Sequence, residues 1–169
     1  MTLIISPLSQ VELVVKSRAP SHVLTLLAPE GSDPYCGKVR HLVLRFNDIK
    51  APADGLIAPG AETVRAILDF GAEWKSAATG APLLVHCFAG ISRSTAAAYI
   101  LACEFAGPGR EESLAQTLRA MSPTATPNSL MIALADTMLA REGRMSAAIE
   151  GIARGAFASE GVPFDLRFD

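Results

Sequence analysis

Aromatic residues make up only 6% of this 169-residue chain. No apolar stretch approaches the ~20 residues that a membrane-crossing helix requires. Blocks of lysine or arginine are also missing. Fifteen basic residues face seventeen acidic ones, a net charge of −2, so bulk charge draws the chain neither to nucleic acid nor to an anionic membrane. Any anion it binds must be held by a local site. Cysteine is scarce: Cys36, Cys87 and Cys103 are odd in number and widely spaced, which excludes a disulfide framework and a zinc motif. A reducing compartment follows, and a cytoplasmic location is expected. The opening Met1-Thr2-Leu3-Ile4-Ile5-Ser6-Pro7 lacks a basic flank, and its apolar run is too short for a secretory leader. Internal repeats, low-complexity tracts and linkers are absent.

What the chain does have is aliphatic residue. Half of it is hydrophobic, much of that alanine, with leucine, isoleucine and valine supplying most of the rest. This is a globular composition, and its length suits a single domain over 1–169. Short apolar runs predict strands at Val11–Lys16, His22–Leu27, Leu42–Phe46 and Leu83–His86. Runs of this kind suit strands buried on both faces of an α/β sheet. Helical spacing of Val64, Ile67, Leu68, Gly71 and Trp74 predicts a helix over 60–78. Further helices are expected over 92–105 and 111–121. Another should open at an N-cap Thr126 followed by Pro127 and run to about Arg141. Residues 142–169 are expected to be a C-terminal helical extension packed on the domain, with a last helix over 145–154.

One segment carries chemistry: His86-Cys87-Phe88-Ala89-Gly90-Ile91-Ser92-Arg93-Ser94. It lies between a predicted buried strand and a predicted helix, where α/β proteins expose loops at the carboxyl edge of the sheet. A helix begins there, with unpaired N–H groups and the positive end of its dipole. A loop curled through Gly90 can aim successive N–H groups at one centre, an anion-binding nest. Arg93 adds a planar fork that grips two phosphate oxygens. The same positive surroundings favour the thiolate of Cys87, which can attack phosphorus in line. Ser94 can donate a hydrogen bond to the sulfur when it departs.

This segment resembles the H-C-x-x-G-x-x-R-[ST] signature of the protein tyrosine phosphatase superfamily, and its A-G-x-S-R-S ending is most similar to the compact dual-specificity branch. The resemblance spans roughly His22 to Leu139. It implies a central, mostly parallel mixed sheet of four to five strands flanked by helices. It implies a cysteinyl-phosphate mechanism with Cys87 as nucleophile and no metal or organic cofactor. The phosphoryl group would be bound by Arg93 and by the loop residues Phe88, Ala89, Gly90, Ile91 and Ser92. It also places a general acid after the third strand, where Phe46-Asn47-Asp48 stands, and a Pro-Asn facing the loop, matched by Pro127-Asn128. Asp48 lies farther from Cys87 than is usual in compact members. Asp54 lies nearer the usual spacing, but in a context that also reads as a plain turn, so it stands as the alternative acid. His86 is expected to hydrogen-bond within the loop scaffold, and Asn128 to support the loop or cap its helix. Cys103 is expected in the core.

The implied partner is a phosphorylated protein or a small phosphomonoester. Phe88, Ala89 and Ile91 are uncharged, which argues against a polyphosphoinositide head group. Phosphotyrosine is the first expectation, then phosphoserine or phosphothreonine. The rival readings are a catalytically weak phosphatase-like module that binds phosphorylated partners, and a phosphatase of small or lipid phosphomonoesters.

Overall fold

Three of the four predicted strand segments form strands, and two of these, His22–Leu27 and Leu83–Cys87, are buried on both faces. In the computed structural model, which describes residues 1–34 and 36–168, five strands form one sheet. They are β1 (Thr2–Pro7), β2 (His22–Leu27), β3 (Arg40–Arg45), β4 (Leu83–Cys87) and β5 (Phe164–Arg167), ordered β3-β2-β4-β1-β5. The first four pair in parallel, and β5 pairs antiparallel with β1. The sheet is thus mixed and mostly parallel, as expected.

Side chains alternate between two cores. Leu3, Ile5, Leu24, Leu26, Leu83 and Val85 face the larger one. Ile4, Val23 and Leu84 face the smaller one, against Val11 and Val14 of α1 (Val11–Arg18). The larger core is covered by α2 (Ala61–Ala77), α3 (Arg93–Ala106), α4 (Glu111–Met121), α5 (Ser129–Met138) and α6 (Arg144–Gly151). Helix α3 is buried from Arg93 through Cys103, because Ala96, Ala97, Ala98 and Ala102 let sheet and helices approach it closely. Gly71 serves the same end on α2, where a Cβ would collide with Leu101. No helix among the described residues is long and apolar enough to cross a membrane.

The first expected strand is corrected. Val11–Lys16 lies in helix α1: β-branched residues suggested a strand, but Val11, Val14 and Val15 recur at helical spacing, and Leu13 between them is exposed. The true first strand is Thr2–Pro7. Helix α5 starts later than expected. Its N-cap is Asn128, whose side chain accepts from Met131 N, so Pro127 precedes the helix. The C-terminal region holds helix α6, then strand β5 at the sheet edge.

Because β1 to β4 are parallel, their carboxyl ends share one edge. Pro7 pairs with Cys87 there, and Phe46 follows β3 at the same edge. The loop after β4 therefore sits among the ends of its neighbours.

Candidate active site

Cys87 is the last residue of β4 and is 2% exposed. Its Sγ accepts from Gly90 N at 3.3 Å and lies 3.2 Å from Ser94 Oγ. Gly90 has φ +71, and a Cβ on it would sit 2.6 Å from Pro7 N. Both the left-handed backbone and the close approach to β1 require glycine.

Four outside donors hold the loop's carbonyls. Leu8 N donates to Phe88 O (3.0 Å), Gly161 N to Ala89 O (2.8 Å), Thr126 N to Ile91 O (2.9 Å) and Asn128 N to Ser92 O (3.4 Å). Across a trans peptide a carbonyl and the next N–H point opposite ways. Anchoring these carbonyls outward turns the N–H groups of Ala89, Gly90, Ser92 and Arg93 toward the other side. For Gly90 the bond to sulfur is that orientation directly.

Arg93 opens α3 and is 6% exposed. Its Nη1 donates to Phe46 O at 2.9 Å, and its guanidinium carbon lies 5.9 Å from the centre of the Phe46 ring. Its Nε is buried without a hydrogen-bond partner among the described residues. A buried guanidinium with an unpartnered donor suits a planar oxyanion.

Asp48 reaches the loop. Its Oδ1 accepts from Ser92 Oγ (2.8 Å) and Asn128 Nδ2 (2.7 Å), while Asn128 Nδ2 also donates to Ile49 O (3.1 Å). Oδ2 of Asp48 makes no hydrogen bond among the described residues. Asn128 thus both caps α5 and ties the Asp48 loop to the helix. Asp54 is brought to none of these groups. It is exposed in a turn closed by Leu56 N donating to Ala53 O. Beside the loop, an open groove of about 570 Å3 runs from Asp48 and Ser92 past Thr126 to Arg154 and Phe157. Cys87 and Arg93 do not line it.

His86 bonds sideways to the sheet, where the sequence suggested bonds within the loop. Its Nε2 lies 2.6 Å from Thr25 Oγ1 on β2, which is itself 2.7 Å from His41 Nε2 on β3. Thr25 has one proton to give, so one ring accepts it and the other donates. Burial holds the His86 pKa down at about 4, from 6.5, against an opposing contribution from the Cys87 backbone. Burial also lowers His22 and His41. The unfolded chain therefore binds protons that the folded chain refuses between about pH 6.5 and 4. Stability should fall as pH drops through that window, by about 3 kcal/mol from His86 alone. Urea unfolding at stepped pH checks this: His86→Gln should flatten the slope, and an unchanged slope would contradict it.

The other cysteines are set apart. Burial pushes the Cys103 thiol up to about 12 and, with Asp33, the Cys36 thiol up to about 11. Cys103 is a core residue, fully buried in α3. The sequence offered no sign of Thr25, His41, Leu8 or Gly161. The amides of the last two act through the backbone, which leaves no residue-type signature.

No protein-family model matches the chain, and no curated protein matches it. Solved structures do. DUSP15 superposes with a TM-score of 0.62 at 18% identity, covering 89% of both chains. The human tyrosine phosphatase-like serine/threonine/tyrosine-interacting protein gives 0.62 at 20%, covering 82% of this chain and 91% of that one. The fold is that of the compact dual-specificity phosphatases. PTPMT1 in complex with PI(5)P has it too, with a TM-score of 0.59 at 14% identity over 89% of this chain and 91% of that one. Within this fold the Cys87 loop lies at the carboxyl edge of the sheet, in the mouth formed by β1, β3 and β4.

Proposed function

We propose that the protein is a cysteine-dependent phosphatase acting on phosphotyrosine in proteins. The observation that carries the reading is a cysteine sulfur, bonded by Gly90 N–H and beside Ser94, at the base of a loop whose amides turn inward beside a buried arginine with a donor that has no partner among the described residues.

The chemistry follows from these groups. Loop amides and Arg93 hold the phosphoryl oxygens and stabilise the charge that develops on them. The Cys87 thiolate attacks phosphorus, the bond to the ester oxygen breaks, and Asp48 protonates that oxygen from Oδ2. Asp48 then takes a proton from water as the water attacks the cysteinyl-phosphate. Phosphate leaves, the thiolate returns, and Ser94 donates a hydrogen bond to the departing sulfur. Ser92 and Asn128 fix the carboxyl group that performs both proton transfers.

Phosphotyrosine is favoured by the uncharged rim. Phe88 is 66% exposed at the loop and offers a ring face to an aromatic ester. PTPMT1 was solved with PI(5)P, so that lipid belongs in the test. Initial rates with a chelator present should rank a phosphotyrosine peptide above a phosphoserine peptide and PI(5)P. Preference for PI(5)P would overturn the protein substrate while leaving the phosphatase. Asp48→Asn should lower kcat on the phosphotyrosine peptide roughly 100-fold and remove the basic limb of its pH profile. Asp54→Asn should leave both unchanged. The reverse pattern would move the acid to Asp54.

A further inference from the structure

The loop's carbonyl anchors come from three separate segments of the chain. Leu8 directly follows β1, while Thr126 and Asn128 lead into α5. The fourth anchor, Gly161, comes from the C-terminal segment. That segment is pinned on both sides of Gly161. Upstream, Gly155 N donates to Thr126 Oγ1 (3.1 Å), Ala156 N donates to Pro123 O (2.9 Å), and Glu160 Oε1 accepts from Ser9 Oγ (2.7 Å). Downstream, β5 pairs with β1 from Ile5↔Phe164 to Thr2↔Arg167. Gly161 itself is buried against the loop. A Cβ there would sit 3.2 Å from Gly90 O and 3.5 Å from Ala89 O.

The peptide that Gly161 holds is the critical one. The Ala89–Gly90 unit carries the N–H bonded to the Cys87 sulfur, and its carbonyl has no anchor other than Gly161 among the described residues. It also precedes a glycine, whose open conformational space lets such a peptide rotate at little steric cost. A rotated peptide would turn a carbonyl oxygen toward the sulfur and the bound oxyanion.

We infer that Gly161 is a positioning residue for oxyanion binding: its N–H, supplied by the C-terminal segment, holds the Ala89–Gly90 peptide with the Gly90 N–H facing the sulfur and the phosphoryl group. The inference rests on reading the loop as an oxyanion site. It makes the C-terminal segment part of the site, although it lies outside the stretch that resembles the phosphatase signature.

The test uses the full chain and needs no turnover. Alkylation of Cys87 by iodoacetamide is followed by mass spectrometry of its peptide against increasing inorganic phosphate. An ester in place of the Glu160–Gly161 amide, introduced by ligating a synthetic C-terminal peptide, deletes the N–H alone. It should require about tenfold more phosphate for half-protection, at a melting temperature near that of the wild type. Gly161→Pro should behave similarly. An ester in place of the Gly161–Val162 amide, whose N–H has no hydrogen-bond partner among the described residues, should stay close to wild type. Equal protection of the Glu160–Gly161 ester and wild type would overturn the inference, as would an equally large loss in the Gly161–Val162 ester. Wild-type protein left unprotected by phosphate would overturn the oxyanion-site reading itself.

Discussion

Arg93→Lys is expected to lower kcat/KM by about 1,000-fold and to abolish measurable phosphate binding. The loss corresponds to about 4 kcal/mol of transition-state stabilisation. Arg93 spends Nη1 on Phe46 O and still has donors in a fixed plane for two oxygens. A lysine ammonium is a point charge with no fork, so it cannot bond Phe46 O and grip two oxygens together. It would also bring a strongly hydrated charge into a site that is 6% exposed. Steady-state kinetics and phosphate protection of Cys87 measure the two effects. Near-normal rates in the lysine variant would remove Arg93 from the phosphate site.

Cys87→Ser separates binding from chemistry. Its turnover should fall by about 10⁵-fold or more, because a neutral hydroxyl in the same place is a far weaker nucleophile. Its phosphate affinity should survive. The amides, Arg93 and the carbonyl anchors are untouched, and an oxygen can still accept from Gly90 N and exchange a hydrogen bond with Ser94. Residual turnover within tenfold of wild type would show that another group is the nucleophile. Loss of phosphate binding together with turnover would show that the sulfur itself holds the loop open. Calorimetry or a thermal shift with phosphate distinguishes these outcomes.

The contrast between local and distant features explains what the sequence could tell. Cys87, Gly90, Arg93 and Ser94 fall on one curled loop, so spacing alone brought them together as candidates. Strand β2 was legible as a continuous apolar run, and helices α2 and α4 because each has one dominant helical period. Region 11–16 read as a strand and is a helix: valines favour strands by type, yet here they fall on one face of a helix. Strand β5 has four residues and exists only because β1 offers it an edge, which no local pattern announces. Asp48 and Asp54 both suited the acid by position. Two hydrogen bonds, from Ser92 and Asn128, favour Asp48, and those contacts are long-range. The backbone amides of Leu8 and Gly161 belong to the same illegible class.

A covalent trap shows whether the Cys87 sulfur is the nucleophile. Wild-type protein is mixed with p-nitrophenyl phosphate and a chelator, quenched in acid during turnover, and digested for mass spectrometry. Sustained hydrolysis is expected, with one phosphoryl group on the peptide carrying Cys87 that is absent in Cys87→Ser. Hydrolysis that stops with the chelator, or that proceeds equally in Cys87→Ser, would contradict it.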